Sequence, residues 1–283
     1  MIFSHTIKKF IPEQVKAAYY SFKGYKANFG HYPNIFFPST FSKKIQKNKI
    51  FARDPRMPIR QDKVLVKDIV ASKLGAKYVI PNLWHGTQLP PRHLRNWPIP
   101  YVIKANHGCG WNIFVRTEAD KNWDEIEQKC DYWLSLVYGR TWGEWLYTKI
   151  KPQLLVEPYI SAVADLPVDY KLWVFNGKLE LTQVISGRGT DGMRQAFYNK
   201  NWVRQPFAGC YIPNNEVDIL PPESYKIMAN AAEILAEDFP FLRVDFYEVN
   251  KQPLVGELTF YPASGFTPIS PIMYEEKVGA LWH

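Results

Sequence analysis

An α+β fold is predicted by three observations along this 283-residue chain. The runs Phe241–Val249 and Pro253–Phe260 are rich in β-branched, aromatic and leucine residues and flank a polar Asn250-Lys251-Gln252, which reads as a β-hairpin. Asp169–Phe175 and Lys178–Ile185 flank Asn176-Gly177, a strong hairpin-turn signal. Two other stretches carry helical spacing. One covers residues 122–138; the other opens at Pro222 and lines up Tyr225, Met228, Ala229, Ala232, Leu235 and Ala236 as one apolar stripe. Hairpins and amphipathic helices in one chain make the class α+β.

Taken in order, residues 1–50 read as a basic, partly helical arm ending in a Pro- and Phe-rich loop around Pro33–Phe41. Its nine lysines face a single acid, Glu13, while the bases and acids of the remaining chain cancel, so the whole net charge of +8 belongs to this arm. Lysines interleaved with Phe10, Tyr19, Tyr20, Phe22 and Tyr25 suit an anionic membrane surface or an acidic polymer. A solvated basic helix packing its aromatics on the body fits as well. Residues 62–75 have helical spacing through Val64, Ile69, Val70 and Leu74, with Gly75 as the stop. A proline-rich connector, Pro81–Pro100, follows. Tyr101–Lys104 and Asn112–Val115 read as strands joined by the loop Asn106–Trp111, and Leu154–Glu157 as a short apolar strand.

Several function classes are excluded. No apolar run approaches the roughly 18 residues a membrane helix needs, and the start has no secretory pattern, so a cytoplasmic location is expected. Cys109, Cys130 and Cys210 are widely spaced and in no metal-ligand pattern, which fits a reducing compartment without disulfides or structural zinc. Balanced charge beyond the arm and the lack of a recognised motif argue against nucleic acid. Neither G-x-x-x-x-G-K-[ST] nor G-x-G-x-x-G is present, so P-loop and Rossmann sites are out.

The chemistry gathers near the C-terminus. If the last two runs pair around residues 250–252, Asp245 stands opposite Glu257. Like charges in direct cross-strand opposition are costly unless a cation lies between them, and oxygen ligands suit magnesium carried on a nucleotide phosphate. Arg243, two residues before Asp245 on the same face, would hold a transferring phosphoryl group. A surface hairpin with unrelated acids is the competing reading. Lys104, at a strand end before Gly108 and Gly110, has the form of a phosphate-binding turn, although an exposed loop lysine has the same form.

The order of these parts resembles the ATP-grasp superfamily from residue 62 to about 268. Four stretches carry the resemblance: Asp62-Lys63 with Lys67, Ile103–Asn112, Asp169–Lys178 and Glu257–Gly265. Their wording is similar to the teichuronopeptide-biosynthesis-type, or TupA-like, branch, which is associated with cell-surface polysaccharides. The resemblance implies an ATP-grasp fold, two α/β subdomains sandwiching ATP, with a reduced N-terminal pre-ATP-grasp region. It implies boundaries of 1–50 for the arm, 51–97 for the N-terminal region, 98–157 for the lid and 158–283 for the metal-bearing subdomain.

Carried over by position, Lys63 and Lys104 match the nucleotide lysines, and the loop holding His107, Gly108 and Gly110 matches the flap over the phosphates. Glu157, Pro158, Tyr159 and Ile160 match the adenine hinge, with Asp169 also on the nucleotide side. Lys171 and Arg188 match residues that reach the γ-phosphate and the acyl phosphate; each has an edge charge as its plain alternative. Asp245 and Glu257 match the ligands of two magnesium ions, and Thr259 stands where many relatives have Asn. Ser264 and Gly265 match the acceptor side; an ordinary turn is their simpler reading, as loop hydrogen bonding is for His107. The implied activity is an ATP-dependent carboxylate–amine ligase working through an acyl phosphate on a uronic acid or amino-acid substituent of a capsule, O-antigen or teichuronic-type polymer. The arm would suit a lipid-linked acceptor at the inner membrane face. A kinase, a glycosyltransferase lacking Asp-x-Asp, and a non-catalytic sugar binder are the alternatives.

Overall fold

In the computed structural model, which describes residues 12–160 and 167–283, the basic stretch forms two helices joined by a loop. Phe10 and the start of the chain lie outside the described residues. α1 (Glu13–Phe29) stops at Gly30, whose φ of 79° is a left-handed cap that glycine adopts without a Cβ penalty. α2 (Phe41–Phe51) starts at Thr40, whose hydroxyl accepts the Lys43 N–H. α1 turns Ala17, Ser21 and Tyr25 inward, and α2 buries Phe41, Ile45 and Lys49. Phe41 packs on Trp173, Phe175, Phe241 and Trp282, so α2 belongs to the core of the main sheet.

Where the spacing predicts one helix over 62–75, residues 62–65 form a turn after the short α3 (Arg56–Gln61), and the helix is α4 (Val66–Leu74). The cause is Asp62. Its Oδ1 accepts the N–H groups of Val64 and Leu65 at 2.8 and 3.3 Å, competing with a helical ladder. Its Oδ2 accepts from Asn106 Nδ2 at 2.9 Å, tying the turn to the loop Asn106–Trp111.

A four-stranded antiparallel sheet follows. β1 (Trp84–Gly86), β2 (Tyr101–Ala105), β3 (Asn112–Val115) and β4 (Leu154–Pro158) lie in the order β1-β4-β2-β3. β1 comes from within the proline-rich connector and pairs Trp84 with Val156. α5 (Trp123–Ser135) covers this sheet, turning Ile126, Cys130 and Trp133 onto Ile103, Leu154 and Val156.

The larger sheet runs β10-β9-β5-β6-β7, antiparallel throughout. Its strands are β5 (Asp169–Phe175), β6 (Lys178–Ser186) and β7 (Arg194–Asn199), then, after the short β8 (Ala208–Gly209), β9 (Phe241–Val249) and β10 (Gln252–Thr259). β8 pairs with β11 (Ile269–Ser270). Asn176 and Gly177 have φ of 48° and 76°, the pair of positive values a two-residue primed turn needs. Asn250 and Lys251 do the same at 51° and 64°, so the last hairpin turns on two residues and Gln252 already pairs with Val249.

Period-two alternation splits β9. Leu242, Val244 and Phe246 face the core, and Arg243, Asp245 and Tyr247 face the opposite way. α6 (Tyr225–Ala236) lies beside α4 and lays Met228, Ala231, Ala232, Leu235 and Ala236 on that apolar face, while the helix α7 (Met273–Ala280) packs on α2. Each fully buried Leu or Met there contributes roughly 1.5–3 kcal/mol. Leu235→Ala would cost roughly 2–5 kcal/mol. No helix among the described residues is long and apolar enough to cross a membrane.

Candidate active site

The polar face of the larger sheet and the underside of the smaller one enclose a cavity of about 490 Å³. Its floor is a cross-strand row, Glu257–Asp245–Lys171–Gln183, set by adjacent registers on four strands. One rung along, Thr259, Arg243 and Trp173 form the next row.

The expected opposition of Asp245 and Glu257 is present, and the cation between them is a guanidinium. Arg243 grips Asp245 bidentately, Nε to Oδ1 at 2.6 Å and Nη2 to Oδ2 at 2.7 Å. The same Nη2 lies 3.4 Å from Glu257 Oε1 and 3.1 Å from Thr259 Oγ1. Lys171 Nζ closes the other side of Asp245 and lies 3.7 Å from Asp169 Oδ2. Burial alone would raise the Asp245 carboxyl, but Arg243 and Lys171 outweigh it and hold it at about 2.

Asp245, Glu257 and Thr259 supply hard oxygen donors, two charged and one neutral, which suits a small divalent cation that draws further ligands from phosphate. Among the described residues no cluster of three or more His, Cys, Asp or Glu exists, so a cation here needs oxygens from its ligand. It would take from Arg243 the charge compensation that the guanidinium now gives Asp245 and Glu257.

Lys104 on β2 pairs with Glu157 Oε2 at 2.6 Å, and Lys67 on α4 with Glu157 Oε1 at 2.5 Å. Burial would raise Glu157, yet these two lysines keep it below the usual carboxylate range. Glu157 therefore clamps α4 to the smaller sheet. Pro158, Tyr159 and Ile160 follow it along the cavity wall, with the Tyr159 N–H donating to the Pro100 carbonyl at 3.0 Å.

Lys63 enters the cavity from the Asp62 turn, its Nζ donating to the Gly108 carbonyl at 2.5 Å and lying 3.9 Å from Glu257 Oε2. Cys109 and Gly110 of the β2–β3 loop line the cavity. Gly108 and His107 do not. A Cβ on Gly108 would meet the Trp111 ring at 2.4 Å, so glycine there serves packing. The buried His107 ring bridges Asn106 Oδ1 and the Trp133 carbonyl, the loop-bonding role. Arg188 reaches Asp169 Oδ2 through Nε at 2.5 Å, and both line the cavity beside Tyr247.

Past β10, Ala263, Ser264 and Gly265 have φ of 45°, 59° and 64°, three successive left-handed residues. Such backbone persists only where surroundings hold it. Gln46 and Lys49 of α2 donate to the Ser264 carbonyl at 3.1 and 3.0 Å, and the Ser264 hydroxyl donates to Glu144. Gly265 lines the cavity while Ser264 is turned into this buried cluster. Burial pushes the Glu144 carboxyl up and the Lys49 ammonium down.

The structure thus gathers Lys63, Lys104, Asp169, Lys171, Arg188 and the Arg243–Asp245–Glu257 group around one cavity. Sequence reasoning quoted Lys67 only as part of the resemblance and gave it no role, whereas the structure pairs it with Glu157. Sequence reasoning missed Gln46, Lys49 and Glu144, which no local pattern marks.

The family pattern described as TupA-like ATP-grasp matches residues 43–283. No curated protein matches the chain. Similar solved structures include D-alanine–D-alanine ligase from Bacillus anthracis complexed with ATP, 16% identical with a TM-score of 0.40, covering 71% of this chain and 54% of that one. L-amino acid ligase from Bacillus licheniformis is 10% identical with a TM-score of 0.46 over 81% and 46% of the two chains. A D-cycloserine synthetase is 14% identical with a TM-score of 0.44 over 81% and 69%. This chain spans about half the length of the first two.

Proposed function

The chain belongs to the TupA-like ATP-grasp family, and from that premise we propose that it is an ATP-dependent carboxylate–amine ligase. The observation that carries the reading is the row Lys171–Asp245–Glu257, with Arg243 beside it, facing Lys63 and Lys104 across one cavity. Transfer of the γ-phosphoryl group of ATP to a carboxylate gives an acyl phosphate; the amine attacks its carbonyl and phosphate leaves.

Asp245 and Glu257, with the Thr259 hydroxyl, would hold magnesium, which when bound neutralises and orients phosphate oxygens. Lys171 and Arg243 stand where charge develops on the transferring group, and Lys63 and Lys104 extend that positive field. Pro158, Tyr159 and Ile160 would border the adenine, with Arg188 and Asp169 on the same wall. The flap at Cys109 and Gly110 would keep water from the acyl phosphate. Gly265 would border the acceptor.

For substrates, the resemblance to the TupA-like branch supports an amine and a uronic-acid sugar of a cell-surface polysaccharide, handled at the inner membrane face. Calorimetric titration with ATP and magnesium, followed by a screen of amines and uronic acids for ADP release, tests the reading. Amine-dependent phosphate release supports a ligase; ADP with a stable phosphoester and no amine dependence would make it a kinase. Absence of ATP binding, or full turnover by Asp245→Asn with Glu257→Gln, overturns both.

A further inference from the structure

We propose that the outward face of α1 and the loop after it dock this chain on an anionic lipid bilayer, beside one wall of the cavity. α1 has two unlike faces. Its inward side packs on the walls of the site: Gly24 lies against the Phe266 ring, next to Gly265, and Asn28 Oδ1 accepts from the hydroxyl of Tyr211, a cavity-lining residue, at 2.8 Å. Its outward side carries Val15, Ala18, Tyr19 and Phe22 with Lys23 and Lys26 in one shallow groove, at helical spacing.

The loop continues this surface. Tyr32 packs beside Phe22 and under Lys26 Nζ, 4.6 Å from the ring centre. Phe36 and Phe37 follow, 74% and 83% exposed. Asn34 Oδ1 accepts the N–H groups of both phenylalanines, at 3.1 and 3.0 Å, so these two donors keep their partner on leaving water. The first fifty residues hold all the excess positive charge, and their one acid, Glu13, is paired with Lys16 at 3.1 Å.

Charge alone would equally suit an acidic polymer. The two phenylalanines decide for a bilayer, because they offer no donor to a polymer and gain by entering the acyl boundary, while lysines and tyrosines stay at headgroup level. In the ligase reading, on which this last step rests, a lipid-linked acceptor would reach the cavity past Tyr211.

Co-sedimentation of the full chain with phosphatidylcholine vesicles, with and without phosphatidylglycerol, tests the docking. Binding is expected only with the anionic lipid and weakened by salt. Lys23→Ala with Lys26→Ala should weaken it about thirtyfold, at about fivefold per lysine. Phe36→Ser with Phe37→Ser should weaken it further. Neither pair lines the cavity, so ATP affinity and circular dichroism should be unchanged; ATP affinity reports the ligase reading separately. Failure of the wild type to bind anionic vesicles, or equal binding by both variants, overturns the proposal. So does a dimer in solution that the same substitutions dissociate.

Discussion

Glu257 faces Asp245 because the β9–β10 ladder slips by one residue at Gly256. The two-residue turn at Asn250-Lys251 pairs Val255 with Phe246, and continuing that register would set Asp245 opposite Gly256 and Glu257 opposite Val244, on the core face. The bulge restores the shared face. A Cβ at position 256 would lie 2.8 Å from Tyr247 Cε2. Gly256→Val should therefore displace the Tyr247 ring and weaken ATP binding about tenfold, read by calorimetry, with far-UV circular dichroism unchanged.

Arg243 compensates the two acids as a built-in cation. Arg243→Met leaves Asp245 with Lys171 alone and brings the two carboxylates into direct repulsion. The loss should be about 3–5 kcal/mol of stability and at least about a hundredfold in turnover. Magnesium should raise the melting temperature of this variant more than that of the wild type. Equal magnesium effects on both proteins would count against a cation site between these acids.

The Glu157 clamp predicts a pH dependence. Its folded-state carboxyl is held below the usual value of 4.5, so its contribution to stability is present above that value and is lost as pH falls below it. Urea midpoints measured from pH 7 down to pH 3 should decline for the wild type. Glu157→Gln should start lower, by about 3–5 kcal/mol, because Lys67 and Lys104 lose their shared partner, and should decline less steeply.

Lys49 and Glu144 meet at Ser264 and should behave as a unit. Lys49→Met or Glu144→Gln alone leaves buried polar groups without their partner and should cost about 1–3 kcal/mol. The double variant should cost less than the two singles added, a coupling that a double-mutant cycle reads directly. Lys49→Arg should recover part of the turnover lost by Lys49→Met, since the strained turn that it holds borders the cavity.

Much of the fold was legible because its signals are local. Asn176-Gly177 marked the hairpin of β5 and β6, and the Met228–Leu235–Ala236 stripe marked α6. Asp245 opposite Glu257 was legible too, although the assumed three-residue loop was wrong and the bulge corrected it. A glycine within a strand does hint at a bulge. What stayed hidden depends on distance in sequence. β1 is three residues with no strand signal, ordered by pairing with β4. Ser264 joins partners 120 and 215 residues away, which no window can see. The break before α4 turns on which of two hydrogen-bond patterns Asp62 favours.

Lys63 spans the gap between the helical segment and the flap, giving its backbone N–H to the Asn106 carbonyl at 3.4 Å and its ammonium to the Gly108 carbonyl. In the proposed ligase, a phosphate arriving in the cavity would compete for that same ammonium. In the ligase reading, nucleotide capture would then be an exchange, with the internal Gly108 carbonyl traded for an external oxygen, and the ammonium that now holds the Asn106–Trp111 loop would be drawn to the molecule that loop borders.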